Sequence, residues 1–249
     1  MARGTTMNRR TFVVVDDEAA LAEEAARRLI ARSHAQDGAI AICLTGGATP
    51  RRLYELLGTE PFRGELPWQR IDWFIGDERF VPADDPLSNI GMARRAFLDE
   101  CAPPTRIHPI RTDLADPAAA AQDYERALKA RYGADTLDPG RPLFDLVLMG
   151  VGPDGHTASL FPGQPTVEEP RRWVVAVEEA GVEPFVPRVT LTLPVLASCR
   201  EMLFLIAGSQ KRTVLERVLA EASLPAARAL SQRQTVWLMD RDAAPGALR

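Results

Sequence analysis

The chain has three histidines, and His156 follows a carboxylate by two residues in Gly150-Val151-Gly152-Pro153-Asp154-Gly155-His156. An imidazole, with an unperturbed pKa of about 6.5, can accept and return a proton near neutral pH. Asp154 and His156 are therefore the first candidates for acid–base work. Read alone, His156 is equally a loop histidine bonded to backbone. The same residues spell G-x-G-x-x-G after an apolar run. A dinucleotide turn needs a long helix directly behind it, whereas here Pro153 interrupts the motif and Pro162 follows soon after Gly155. NAD and FAD are not expected, and the glycines fit a tight strand-exit loop with permissive backbone. His34 lies at a polar helix end, and His108, between Ile107 and Pro109, reads as structural.

Three further segments carry polar chemistry. Thr45-Gly46-Gly47-Ala48-Thr49 joins an apolar run to a helix opened by Pro50. Its glycines, hydroxyls and free helix N–H groups make an anion cradle or, more plainly, a strand-to-helix turn. No GK[ST] follows at Walker spacing, so ATP is not expected, while one phosphate ester fits. Gly76-Asp77-Glu78-Arg79 is either a salt-bridged surface turn or a site where Arg79 binds an anion and a carboxylate, Asp77 or Glu78, positions a polar substrate. Lys211 follows Gly208-Ser209 near a helix start. It is one of two lysines, with Lys129, among 30 basic residues, which suggests a point charge on phosphate or simply a Lys that survived by chance. GxSxG, HExxH, CxxC and EF-hand patterns are absent. Ser159 has no identifiable third partner for a triad. Neither a metal nor a cofactor is expected.

These loops need a frame. Apolar runs over 11–15, 39–44, 71–75, 144–149, 173–177, 188–193, 202–206 and 236–239 read as strands. Helices are expected over 17–33, 50–57, 88–98, 117–132 and 209–219. The boundary signals are local, such as Asp116 as N-cap with Pro117 at the first helical position. Strands separated by helical crossovers predict a three-layer α/β/α fold with a mainly parallel sheet. The four polar segments then sit at the carboxyl ends of strands, or just beyond, where such sheets bind ligands. No repeat or linker divides the chain, so residues 1–249 are expected to form one catalytic domain, with 1–10 a flexible tail.

The chain's 249 residues are 46% hydrophobic and 26% charged, with a formal net charge of -4, and so carry no bulk basic footprint for nucleic acid. No apolar stretch approaches the roughly 18 residues of a membrane helix. Asn8-Arg9-Arg10-Thr11-Phe12 imitates a twin-arginine export signal, but the apolar run after it stops at Asp16, short of the roughly 7–15 residues required. Cys43, Cys101 and Cys199 are dispersed and fit a reducing compartment. A cytoplasmic protein acting on a small molecule, without nucleic-acid or membrane partners, is expected.

Taken together, Leu44-Thr45-Gly46-Gly47-Ala48-Thr49-Pro50, Gly76-Asp77-Glu78-Arg79-Phe80-Val81-Pro82 with Ser88-Asn89, and the run from Gly150 through His156-Thr157-Ala158-Ser159-Leu160-Phe161-Pro162 resemble the 6-phosphogluconolactonase family in order and spacing. Arg188-Val189-Thr190-Leu191-Thr192-Leu193-Pro194 and Gly208-Ser209-Gln210-Lys211 extend the resemblance over nearly the whole chain. It implies the fold of sugar-phosphate isomerases and deaminases. It also implies hydrolysis of 6-phospho-D-glucono-1,5-lactone to 6-phospho-D-gluconate in the oxidative pentose phosphate pathway. By motif position, His156 would be the acid/base with Asp154 beside it, and Thr45–Thr49, Arg79 and Lys211 would hold the phosphate. Ala48 replaces a frequent Ser, which removes one possible hydroxyl donor. The related glucosamine-6-phosphate deaminases carry an acidic residue after the histidine in an Asn-Glu-Pro segment; here the stretch is Leu160-Phe161-Pro162. A non-catalytic sugar-phosphate sensor, usually joined to a DNA-binding module, is the third reading, and no room for such a module is expected before Thr11 or after Asp242.

Overall fold

The computed structural model describes residues 9–248. In chain order the elements are β1 (Arg9–Val15), α1 (Glu18–His34), β2 (Ile40–Leu44), α2 (Ala48–Leu57), α3 (Phe62–Glu65), β3 (Ile71–Ile75), β4 (Asp77–Arg79), α4 (Asn89–Ala93), α5 (Asp99–Cys101), β5 (Ile107–His108), α6 (Pro117–Tyr132), β6 (Phe144–Met149), β7 (Val174–Val177), β8 (Arg188–Leu191), α7 (Leu193–Ala197), β9 (Cys199–Ile206), α8 (Arg212–Ala220), α9 (Pro225–Arg228) and β10 (Gln234–Asp240). Seven strands form one parallel sheet in the order β1-β10-β9-β6-β2-β3-β5, within the expected three-layer α/β/α architecture. Every residue of the inner strands β2, β3 and β6 is buried, as strands covered on both faces require. Trp73, Phe74, Phe144, Phe204 and Trp237 fill the core around them.

The helix ends follow the local chemistry. Asp17 caps α1 by accepting from the Ala20 amide at 2.9 Å, and Asp116 caps α6 through Ala119 at 2.7 Å. Gly133, at φ 75°, ends α6 in a left-handed cap. The helix expected over 88–98 starts where Ser88 caps α4, but it passes through a π-helical stretch, Arg94–Leu98, into α5. No helix among the described residues is long and apolar enough to cross a membrane.

Two expectations change. Residues 76–79 are not simply a strand-exit loop: Asp77–Arg79 is β4, paired antiparallel with β8, which in turn pairs with β7. The runs near 174 and 188 therefore belong to a separate three-stranded sheet, not to the parallel one. Composition cannot distinguish the two, because a short buried strand reads the same in either sheet. Of the tail expected over 1–10, residues 1–8 lie outside the described residues, while Arg9 and Arg10 open β1 and the Arg10 guanidinium donates to the Ala227 carbonyl.

The order of the large sheet locates the crevice. From β2 the chain proceeds to β3 and β5 on one side, and from β6 to β9 and β10 on the other. The β2–β6 boundary is thus a topological switch point, where loops leaving adjacent strands diverge and leave room for a ligand.

Candidate active site

Two phenols fix the strand ends from which loops enter this crevice. The Tyr54 hydroxyl, on α2, donates to the Thr45 carbonyl at 2.8 Å and accepts from the Thr45 amide at 3.0 Å. Tyr124, on α6, does the same to Ile75, donating at 3.2 Å and accepting at 3.0 Å. Beyond Thr45, Gly47 (φ 115°) turns the chain into α2. Gly46 is held by space: a Cβ there would lie 1.9 Å from Asn89 Oδ1.

The loop after β6 is a tight turn. The Gly152 amide donates to the His156 carbonyl at 2.9 Å, and the Gly155 amide donates to Gly152 at 3.0 Å. The imidazole lies flat against Gly152, where a Cβ would fall 1.9 Å from its Cε1. Asp154 Oδ1 meets His156 Nδ1 at 2.5 Å and accepts the His156 amide at 3.1 Å. With Nδ1 so engaged, Nε2 is the nitrogen left for a proton in the cavity. Burial raises the Asp154 carboxyl, but its bonds to His156 outweigh this and hold it below the usual range, so it remains an anion beside the ring. Phe161 packs against the imidazole, with ring centroids 4.7 Å apart and planes inclined at 53°.

The small sheet contributes charge. Arg79 and Arg188 are register partners across β4 and β8. Like charges directly opposite on a ladder are unfavourable. Arg79 Nη1 donates to the Leu87 carbonyl at 2.8 Å and Arg188 Nη2 to the Pro184 carbonyl at 2.9 Å. The buried Nε of each lacks a partner among the described residues. Burial, then the field of Arg79, pulls the Arg188 pKa down. Two adjacent guanidiniums bordering the cavity can accept an anion, which would relieve their mutual repulsion. Asp77 is buried beside them and accepts from Ser159 Oγ at 2.6 Å. Lys211, after Gly208 (φ 90°), donates its Nζ to the Val151 carbonyl at 2.6 Å, and burial lowers its pKa.

These side chains enclose one cavity of about 520 Å³, lined by Thr45, Gly46, Gly47, Thr49, Asp77, Arg79, His156 and Lys211. The volume suits a phosphorylated monosaccharide.

The comparisons with known proteins follow the same lines. The family model described as glucosamine-6-phosphate isomerases/6-phosphogluconolactonase matches residues 16–237. The chain belongs to this family. It is 40% identical to a 6-phosphogluconolactonase of Synechocystis over 86% of this chain and 87% of that one. It is 37% identical to a 6-phosphogluconolactonase of Streptomyces coelicolor, covering 94% and 93%. The crystal structure of 6-phosphogluconolactonase from Thermotoga maritima superposes with a TM-score of 0.80 at 30% identity, covering 94% of this chain and all of that one. A monomeric glucosamine-6-phosphate deaminase shares the fold at 22% identity and TM-score 0.77.

Within the glucosamine-6-phosphate isomerase/6-phosphogluconolactonase family frame, eight of the nine residues singled out from sequence border the cavity, and the ninth, Asp154, stands behind His156. His108 is packed away from it, stacked on Phe74 at 4.5 Å and bonded through Nε2 to Asp72 at 3.3 Å; His34 Nε2 meets the Glu65 carbonyl. Sequence reasoning assigned no role to Arg188 or Asn89, which also line the cavity. An Arg heading a β-branched run reads as the exposed start of a strand. Only the pairing of β8 with β4 reveals that Arg188 is buried beside Arg79.

Proposed function

We propose that this chain hydrolyses 6-phospho-D-glucono-1,5-lactone to 6-phospho-D-gluconate, the lactone-opening step of the oxidative pentose phosphate pathway. The observation that carries the proposal is the His156–Asp154 pair, 2.5 Å apart, in a cavity that also holds the Arg79–Arg188 pair and Lys211. His156 Nε2 removes a proton from water as the water oxygen bonds to the lactone carbonyl carbon. The tetrahedral intermediate collapses with cleavage of the bond from that carbon to the ring oxygen, and the imidazolium returns its proton to the departing oxygen. Asp154 holds the imidazolium by charge. A lactone is already an activated ester, so one general base suffices and no metal is assigned a role. The residue 45–49 loop, Arg79 and Lys211 hold the phosphate, with Arg188 joining them. Asp77 faces substrate hydroxyls.

Phe161 supports hydrolysis over deamination. An aromatic ring packs beside His156 in the stretch where the deaminase pattern has an acid. Freshly made phosphorylated lactone, assayed against its spontaneous opening, should be hydrolysed without inhibition by EDTA, and glucosamine 6-phosphate should yield no ammonia. Ammonia release without lactone hydrolysis would refute the proposal.

A further inference from the structure

Glu78 is fully buried, and hydrolysis as described gives it no part. Its carboxylate is filled from four sides. Oε1 accepts the amides of Arg79 at 2.9 Å and Asn89 at 2.7 Å. Oε2 accepts the Ile90 amide at 2.8 Å and the Ser88 hydroxyl at 3.3 Å. A buried carboxylate without a cationic partner is costly, and its removal from water pushes the Glu78 pKa up to about 7 against the pull of its amide donors. Apolar burial alone would be served better by a hydrophobic side chain, so the cost points to what the four donors tie together.

They tie two pieces of chain to each other. One is β4, which carries Arg79 and Asp77 into the cavity. The other is the segment 88–90, whose Asn89 side chain donates from Nδ2 to the Asp77 carbonyl at 2.8 Å and fills the space in front of Gly46. Through Asn89 the carboxylate sets the separation between β4 and the Gly46–Gly47 turn, which leave different strands of the large sheet. No hydrogen bond connects Glu78 to the His156 loop among the described residues.

We propose that Glu78 is a positioning residue for anion binding: by clamping β4 to the segment 88–90, it fixes Arg79 against the Gly46–Gly47 turn without acting on His156. The inference rests on the reading of that half of the cavity as the phosphate subsite. It assigns Glu78 an effect on ground-state binding of the phosphorylated end and none on the chemical step.

The test is Glu78→Gln, which keeps the shape but turns an amide N–H₂ toward donors on one side. The variant should raise KM for the phosphorylated lactone by about 10-fold or more while kcat stays within about 3-fold, the pattern of lost uniform binding. The inhibition constant of inorganic phosphate should rise in step, and kcat on unphosphorylated glucono-δ-lactone should match wild type. Unchanged KM overturns the proposal, as does an equal fall in kcat on both lactones. If Glu78→Gln does not fold by circular dichroism, Ser88→Ala removes one of the four donors and should raise KM in the same direction by about 2–5-fold; no rise overturns the proposal. A wild type that opens no lactone defeats the functional reading alone. Calorimetric titration of inorganic phosphate then decides this one: weaker binding by Glu78→Gln sustains it, and equal or absent binding by the wild type overturns it.

Discussion

The seven-stranded sheet meets the cavity with backbone, whereas the three-stranded sheet meets it with side chains. At the ends of β2 and β6 the important positions are ones where a side chain is missing: Gly46 makes way for Asn89, and Gly152 for the imidazole. On β4 and β8 the contribution is Asp77, Arg79 and Arg188 themselves, projecting from paired strands. The first arrangement fixes where reacting groups lie. The second fixes how much charge surrounds them. Changes in the His156 loop after β6 and in the small sheet should therefore fail differently, the first through the rate of chemistry on any lactone and the second through affinity for a phosphorylated one.

The largest effect tests the backbone-built half. His156→Ala should lower kcat by roughly 10²–10⁴ with much smaller change in KM. A folded variant with near-normal kcat would return His156 to a structural role. Gly152→Ala comes next. Its Cβ must displace the ring that it would meet at 1.9 Å, and a misplacement of about 1 Å costs on the order of 10²-fold. The loss should appear equally with phosphorylated and unphosphorylated lactone. A loss confined to the phosphorylated one would erase the contrast between the sheets.

Lys211 sharpens the comparison because it enters after β9 of the large sheet yet carries charge. If it grips the phosphate, Lys211→Ala should cost about 1.5–3 kcal/mol, or roughly 10–150-fold in kcat/KM, on the phosphorylated substrate only. Its bond to the Val151 carbonyl makes the other result informative. Equal loss on both lactones would assign Lys211 to the His156 loop and leave Arg79 and Arg188 with the phosphate. Lys129, paired with Glu125 on α6, is the control, and its replacement by Ala should leave kcat/KM unchanged.

The smallest effect concerns stability. The Glu78 carboxyl titrates near 7 in the folded chain against 4.5 as its ordinary value. Between these, the folded state keeps a proton that the unfolded chain has released, so this group's contribution to stability declines as pH rises through that window. Urea midpoints for the wild type at about pH 5 and about pH 8 should show the decline, and Glu78→Gln should lose that component. An identical pH slope in the variant would contradict the assignment.

The large sheet was legible because its signals are local. Continuous apolar runs, Asp17 and Asp116 at helix starts and glycine after strands each announce themselves within a few residues. The loops that it carries were legible for the same reason, and so were His156, Asp154 and the Thr45–Thr49 segment. The place of β4 in the small sheet depends on its pairing with β8, between residues more than a hundred positions apart such as Arg79 and Arg188, which no short window contains. Hence Asp77–Arg79 read as a loop, Arg188 received no role, and Glu78 read as either surface charge or a substrate contact although four donors bury it. The π-helical stretch after α4 is a further departure, and nothing in Arg94–Leu98 announces it.

The clasp made by each of Tyr54 and Tyr124 bears on how this scaffold tolerates change. A strand end normally frays, and an insertion in the loop beyond it can shift the register behind it. Here one phenol occupies both the amide and the carbonyl of Thr45, and another those of Ile75, so each loop starts from an anchored point. The sheet is thereby insulated from its own loops. Residues beyond the clasps can be exchanged, lengthened or grafted while the strands behind them keep their place, and amide exchange at Thr45 and Ile75 should be as slow as in the strand interiors rather than as fast as at open ends.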